Sequence, residues 1–360
     1  MGTTKGRIMN RRIPRMEVAL AALLLGLLAS FAGAQKPTLL VANWQGYGSD
    51  LPWVVQAFEQ QCDCTVKQVD FGSEQQLLNM LQQGGVGKID VALPNATYIR
   101  YAIDDSLLQP IDVSKLSHYP ELIPGLTSLP ALSSDGDVYG VPWLWGTVGI
   151  GYDPAQVTTP ITGYGALWDP QFAGKATFND DPVIAVMTAA LHLGEDPYHP
   201  DLAKVKQALL EQKRLDVTYW ATTDDFTKLY TSKQIAVGNV WSGLATQIRA
   251  NGYPITYVTP SDVITWVDNW VIVKDAPHPE LAYQWIDFMI SQQFQDRYAR
   301  DLAQQPPSPA NQLVTDALPP DLKQTFQPNA VLETGIPQAT YDAWSQLWTE
   351  VKATPVKSLP

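Results

Sequence analysis

The chain has 360 residues, 45% of them hydrophobic and 17% charged, and a net charge of −12. That length accommodates two domains, the composition excludes a disordered chain, and the acidity excludes a surface built for nucleic acid or anionic lipid. Its 12 tryptophans and 28 prolines point to extensive aromatic surface and many stiff loops.

Residues 1–34 read as an export segment. Lys5, Arg7, Arg11, Arg12 and Arg15 form a basic start, Val18 to Leu28 an apolar run, and Ala32-x-Ala34 a small-residue cleavage signal. The run is too short to span a bilayer comfortably. The expectation is a soluble protein, periplasmic or extracytoplasmic, whose mature chain carries −16 once five basic residues and one acidic residue are removed.

From Thr38 strand and helix patterns alternate. "TLLVANW" is an apolar strand. "SDLPWVVQAFEQQ" is a helix, with Leu51, Val54, Val55 and Phe58 on one face and Ser49 or Asp50 as its cap. Cys62 and Cys64 follow. In an oxidising compartment they bridge or stay as free thiols; a metal site would need two more ligands, which the four histidines do not supply. "TVKQVDF" is a second strand, and "SEQQLLNMLQQGG" a helix opening on a Ser73–Gln76 capping box. "IDVALPN" is a third strand and "ATYIRYAIDDSL" a helix. This β-α-β-α-β order predicts a doubly wound parallel sheet.

A second series follows the Pro-, Ser- and Asp-rich stretch 119–137. "GTVGIGYD" and "ATFND" read as strands, and helices are expected at 181–194, 201–214 and 223–232. "IAVGNVW" is a strand and "LATQIRANG" a helix. "DVITWVDNWVIV" then reads as a buried strand with a carboxylate at its centre. Counting by twos puts Ile264, Trp266, Asp268, Trp270 and Ile272 on one face. A carboxylate between two indoles has lost much of its water, so it calls for a cation. Helices at 279–291 and 291–301 come next, "QQPPSPANQ" reads as a linker, and a last helix puts Tyr341, Trp344, Leu347 and Trp348 on one face.

Ligands of open α/β sheets bind beyond the C-terminal strand ends. Asn43, Trp44, Pro94, Asn95, Asp180, Asp181 and Trp241 stand there: neutral, aromatic or acidic, never basic. An anion site would want Arg, Lys or a glycine-rich cradle; this set suits an amine. Asp181 before Pro182 also reads as a plain helix cap. No nucleophile elbow, phosphate loop or triad is present in the sequence.

"ANWQGY", "FEQQ", "IDVALPNATY", "YGVPWLWGTVGIGYD", "LWDPQFAGKATFNDD", "VWSGLA" and "WVDNWVIVKDAPHPELAYQWIDFM" together resemble the spermidine/putrescine-type solute-binding proteins of ABC importers, from about Thr38 to about Met289. The resemblance implies two α/β lobes, each a doubly wound sheet, joined by crossing strands at a hinge. It implies lobe 1 over 37–144 plus 266–304 and lobe 2 over 145–265 plus 305–358. It further implies a monomer that closes on a cationic amine and docks on a membrane permease, with no cofactor and no catalysis. By position it places Trp44, Gln45, Asn95, Thr97, Asp181, Trp241, Trp266 and Asp268 at the ligand, with Glu333 a further candidate. Two positions depart from the family: Thr97 stands where a Tyr is frequent, and Ile184 where a Glu is frequent. The alternatives are a neutral solute such as a sugar, stacked on the tryptophans, and a secreted hydrolase using Asp181 and Asp268 as an acid pair.

Overall fold

The computed structural model describes residues 1–3, 36–44, 47–301, 308–320, 322–327, 329–333 and 336–356. The export segment read over 1–34 lies, from residue 4 onward, outside the described residues, and so does Gln45. Among the described residues no helix is long and apolar enough to cross a membrane.

The first series folds as its pattern predicts. Strand β1 (Thr38–Trp44) leads through helix α1 (Pro52–Cys62) to β2 (Thr65–Phe71), then through α2 (Glu74–Met80) to the short β3 (Val91–Ala92) and α3 (Ala96–Asp104). β1 pairs in parallel with β2 on one side and β3 on the other. Pro52 stands in the first turn of α1, where its missing N–H costs nothing; the cap residue is Leu51, without a side-chain bond, rather than Ser49 or Asp50. Ser73 caps α2 by accepting from the Gln76 N–H, whereas Gln76 bonds back to the Gly72 N–H, one residue short of a closed capping box. Cys62 and Cys64 form a disulfide across Asp63, which takes a left-handed φ of 50°.

The second series begins earlier than its pattern suggests. Strand β4 covers Val141–Tyr152, twelve residues nearly all buried. Pro142 near its start hides the strand from a propensity reading, because proline donates nothing to a ladder. Then follow β5 (Ala176–Asn179), α4 (Pro182–Leu193), α5 (Leu202–Lys213), β6 (Asp216–Trp220), α6 (Thr223–Thr231), β7 (Val237–Trp241), α7 (Ser242–Ala250) and β8 (Thr256–Val258). β6 carries no clean sequence alternation and sits at the sheet edge, half exposed. Strand β9 (Ile264–Val273), helices α8 (Pro279–Ile290) and α9 (Gln292–Ala299), the short β10 (Val331–Leu332) and α10 (Gln338–Ala353) complete the fold.

Two long antiparallel strands join the halves. Residues Ile264–Asp268 of β9 pair with Val148–Leu144 of β4; after a bulge at Asp268/Asn269, Val271 and Ile272 pair with Ala92 and Val91 of β3. β4 in turn passes from β9 to β7. The sheet order is therefore β2-β1-β3-β9-β4-β7-β5-β6, two α/β lobes linked by crossing strands. Pro142 lies opposite Asn269 beside the bulge, where a missing donor is tolerated.

Each half has its own core. Val41, Phe58, Trp143, Trp270 and Trp285 belong to the first, and Val148, Phe178, Val186, Trp344 and Trp348 to the second. A smaller group around Trp220 and Phe226 backs the second. Trp145 lies with the first core. The stretch 305–358 divides: Ala310 joins the first core and Phe326 packs on it, while Ile336 and α10 join the second. The expected linker over 304–312 is corrected in its described part. Ser308 and Pro309 pair with Trp145 and Leu144, and the Pro309 carbonyl accepts from Trp145 Nε1.

Gly146 faces Trp266 across the β4–β9 ladder, and a Cβ there would overlap the indole. Gly146→Ala is expected to displace that ring and cost about 1–3 kcal/mol of stability, as overpacking does. Urea unfolding followed by tryptophan fluorescence measures it; a variant as stable as the parent, with an unchanged spectrum, contradicts the packing.

Candidate functional site

Asp268 lies where β9 leaves one sheet and enters the other. It stays in the ladder opposite Leu144, and the extra residue of the bulge, Trp143, stands on β4. Trp266 stays half-buried over Gly146 on the second side, whereas Trp270 is fully buried between Trp143 and Trp285 in the first core. The expectation that two indoles flank the carboxylate is thereby corrected: each goes to a different core. What flanks Asp268 is polar. Tyr47 Oη donates to Oδ2 at 2.7 Å, and Asn95 Nδ2 donates to Oδ1 at 3.2 Å.

Local backbone places both donors. Gly48, at φ 112°, lets the loop after β1 pass under the Tyr298 ring, where any Cβ would collide. Tyr298 Oη then donates to the Tyr47 carbonyl at 3.0 Å. Asn95 caps α3 and receives the Thr97 N–H on Oδ1, which leaves Nδ2 for Asp268.

Thr97 is buried and its hydroxyl is occupied. It lies 2.6 Å from the Glu333 carbonyl and 2.8 Å from Asn95 Oδ1, so it ties the start of α3 to the segment after β10. The Glu333 N–H donates to the Thr265 carbonyl of β9, which sets the Glu333 side chain in reach of Asp268 and Asp181. Asp181 caps α4, with Oδ1 accepting from the Val183 and Ile184 N–H groups at 2.8 and 2.9 Å. The cap reading therefore holds, and the same carboxylate is close enough to act on Glu333. Its neighbour Asp180 differs: it accepts from Lys352 Nζ at 2.6 Å and Trp348 Nε1 at 2.7 Å, and so is neutralised within the second lobe. Ile184 is buried in the second core.

Trp241 packs edge-on against Trp220 at 4.9 Å, and Trp44 tilts onto Phe71 at 4.7 Å. Trp44, Asp70, Phe71, Gly72 and Gln76 line a hollow of about 350 Å³ at the C-terminal ends of β1 and β2.

The electrostatics are one-sided. Burial pushes the Asp268 carboxyl up to about 6, against the pull of its two hydrogen bonds. Burial, then Asp181 and Asp268, push Glu333 up to about 8. Burial also raises Asp181 and holds Glu74 well above the usual carboxylate range. Among the described residues no lysine, arginine or histidine forms an ion pair with any of these four acids. No group of three or more His, Cys, Asp and Glu among them could hold a metal ion. The arrangement suits a cation that brings its own charge and hydrogen-bond donors.

Residues 53–325 match the family model of the bacterial extracellular solute-binding proteins. The chain belongs to that family. It is similar to the spermidine/putrescine-binding periplasmic protein of Escherichia coli, 27% identical over 279 residues that cover 77% of this chain and 79% of that one. It is also similar to the putrescine/cadaverine-binding protein of Pseudomonas aeruginosa, 25% identical over 371 residues covering 93% and 99%. In fold it is similar to the spermidine/putrescine ABC transporter substrate-binding protein of Streptococcus pneumoniae, at a TM-score of 0.76 and 22% identity over 88% of this chain and 99% of that one.

Tyr47 and Glu74 escaped the sequence reading. Tyr47 stands inside "ANWQGY", but nothing there shows that its hydroxyl meets a residue 221 positions away. Glu74 looks like an ordinary first-turn helix acid. Glu333, only a candidate in the sequence, lies in a stretch with no periodicity to align.

A buried acid with a raised folded value binds its proton more tightly when folded, so stability falls as pH climbs from the unfolded value, about 4, through the folded one. Between pH 5.5 and pH 8.5 the ligand-free protein is expected to lose melting temperature, and Glu333→Gln to lose less, since Glu333 titrates near 8. Scanning calorimetry across that range decides; equal slopes for parent and variant would exclude Glu333 as a buried acid.

Proposed function

We propose that this solute-binding protein captures a cationic amine between its two lobes and delivers it to an ABC permease, catalysing nothing. The observation that carries the reading is the group Asp181, Asp268 and Glu333: Asp268 buried and the other two half-buried, Glu333 repelled by both neighbours, and none with an ion pair to a basic side chain among the described residues. Relatives named for spermidine, putrescine and cadaverine support it. The ammonium group sits against Asp268, held in turn by Tyr47 and Asn95, and over the half-buried Trp266 and Trp241. A desolvated cation–π contact contributes about 2 kcal/mol and a charged hydrogen bond about 1.5–3 kcal/mol, together compatible with micromolar capture. Asp181 and Glu333 take a second ammonium end. Closure of a monomer about β4 and β9, after export and removal of residues 1–34, completes the cycle.

Asp268→Asn tests this. The asparagine still accepts from Asn95 and can donate to the Tyr47 oxygen, so the fold is expected to persist while putrescine affinity drops by about 2–5 kcal/mol. Titration calorimetry against putrescine, spermidine and a singly charged amine provides the comparison. Unaltered affinity for all three would remove Asp268 as the ammonium anchor, whereas a parent that binds none of them would favour a neutral solute stacked on the tryptophans.

A further inference from the structure

One buried acid is left without a role in capture. Glu74 opens α2 yet is only 8% exposed. An acid in a first helical turn ordinarily faces solvent and favours the positive dipole end; this one turns inward. Its Oε1 accepts the Asn95 N–H at 2.6 Å, and its Oε2 has no hydrogen-bond partner. Asn95 is the residue whose amide reaches Asp268. The groups that face Glu74 are Asn95 and Tyr98 of α3 and Asp268 of β9, with Tyr47 on the far oxygen of Asp268. None of them is basic.

We propose that Glu74 is a positioning residue of the amine site and its proton store: it fixes Asn95 so that the amide aims at Asp268, and it gives up its proton when an ammonium group settles beside Asp268. The inference rests on the amine reading. Two carboxyls that share a water-poor site cannot both ionise unless a cation joins them. Burial and the nearby Asp268 hold the Glu74 proton in place. An arriving ammonium adds one positive charge, the carboxyl proton leaves for solvent, and the local charge balances. No covalent bond changes.

The test is calorimetric titration with putrescine at pH 7.5, in buffers of differing ionisation enthalpy, which counts protons released per ligand bound. Glu74→Gln keeps an acceptor for the Asn95 N–H but has no proton to release. It is expected to bind with fewer protons released than the parent and with a flatter affinity profile between pH 6 and pH 8. Glu74→Ala also loses the acceptor, so its affinity should fall up to about tenfold below that of Glu74→Gln, the upper end of the scale for one neutral hydrogen bond. A Glu74→Gln protein that matches the parent in proton count and in pH profile overturns the proposal. A parent that binds no amine overturns the amine reading, and this proposal with it. Should the Glu74 variants fail to fold, the infrared difference spectrum of Glu333→Gln on adding putrescine is decisive. Loss of a buried protonated-carboxyl band supports Glu74 as the donor, and an unchanged band excludes it.

Discussion

Two hydrogen bonds to the Asp268 carboxylate tie three segments together at the place where a strand changes sheets. Tyr47 comes from the loop after the first strand, Asn95 from the start of α3, and Asp268 from the middle of β9. Removing a carboxylate from water costs several kcal/mol unless donors compensate. Here two donors offset part of that cost, and burial still wins, since the carboxyl lies above its ordinary value. Asp268 stays in the ladder opposite Leu144, on the strand that pairs with β4 on one side and with β3 on the other.

The adjacent pair Asp180 and Asp181 shows how the fold separates an ion-paired acid from one that is not. Asp180 meets Lys352 and Trp348 from α10 and locks the last helix to the end of β5. Asp181, one residue on, spends one oxygen on two helix N–H groups and meets no basic side chain among the described residues. The two stand side by side in the short turn between β5 and α4. The same logic holds across the molecule. Lysines such as Lys204 and Lys206 pair with Glu195 and Glu350 at the surface, where such pairs contribute little. None of the pairs described lies at Asp181, Asp268 or Glu333.

Much of the fold was legible because its elements carry strong local signals. β1, α1 and β2 show clear periodicity, and Asp181, Asp201 and Thr222 announce helix starts. The start of β4 was not, because Pro142 argues against a strand unless a bulge is already known to lie opposite. The Asp268 carboxylate stood out as an anomaly in an apolar run, but its surroundings did not: simple alternation assigned it to Trp266 and Trp270, whereas its donors, Tyr47 and Asn95, come from segments distant in sequence. A pairing across 221 residues leaves no trace in one sequence. Thr97 was expected at the ligand and instead spends its hydroxyl on the backbone of a distant segment.

That last bond also fixes Glu333, a carboxylate that was a candidate only in the sequence. Ile184, three residues after the cap Asp181, is committed to the second core and can supply no charge. Glu333 lies on another element entirely, and a single side chain on an irregular stretch would ordinarily wander. Here its N–H is bound to Thr265 of the crossing strand and its carbonyl to Thr97 of the first lobe. With both backbone groups fixed, the segment has little backbone entropy left to lose. The acid near Asp181 and Asp268 is thus borne by a pinned segment, while Ile184 of α4 supplies no charge.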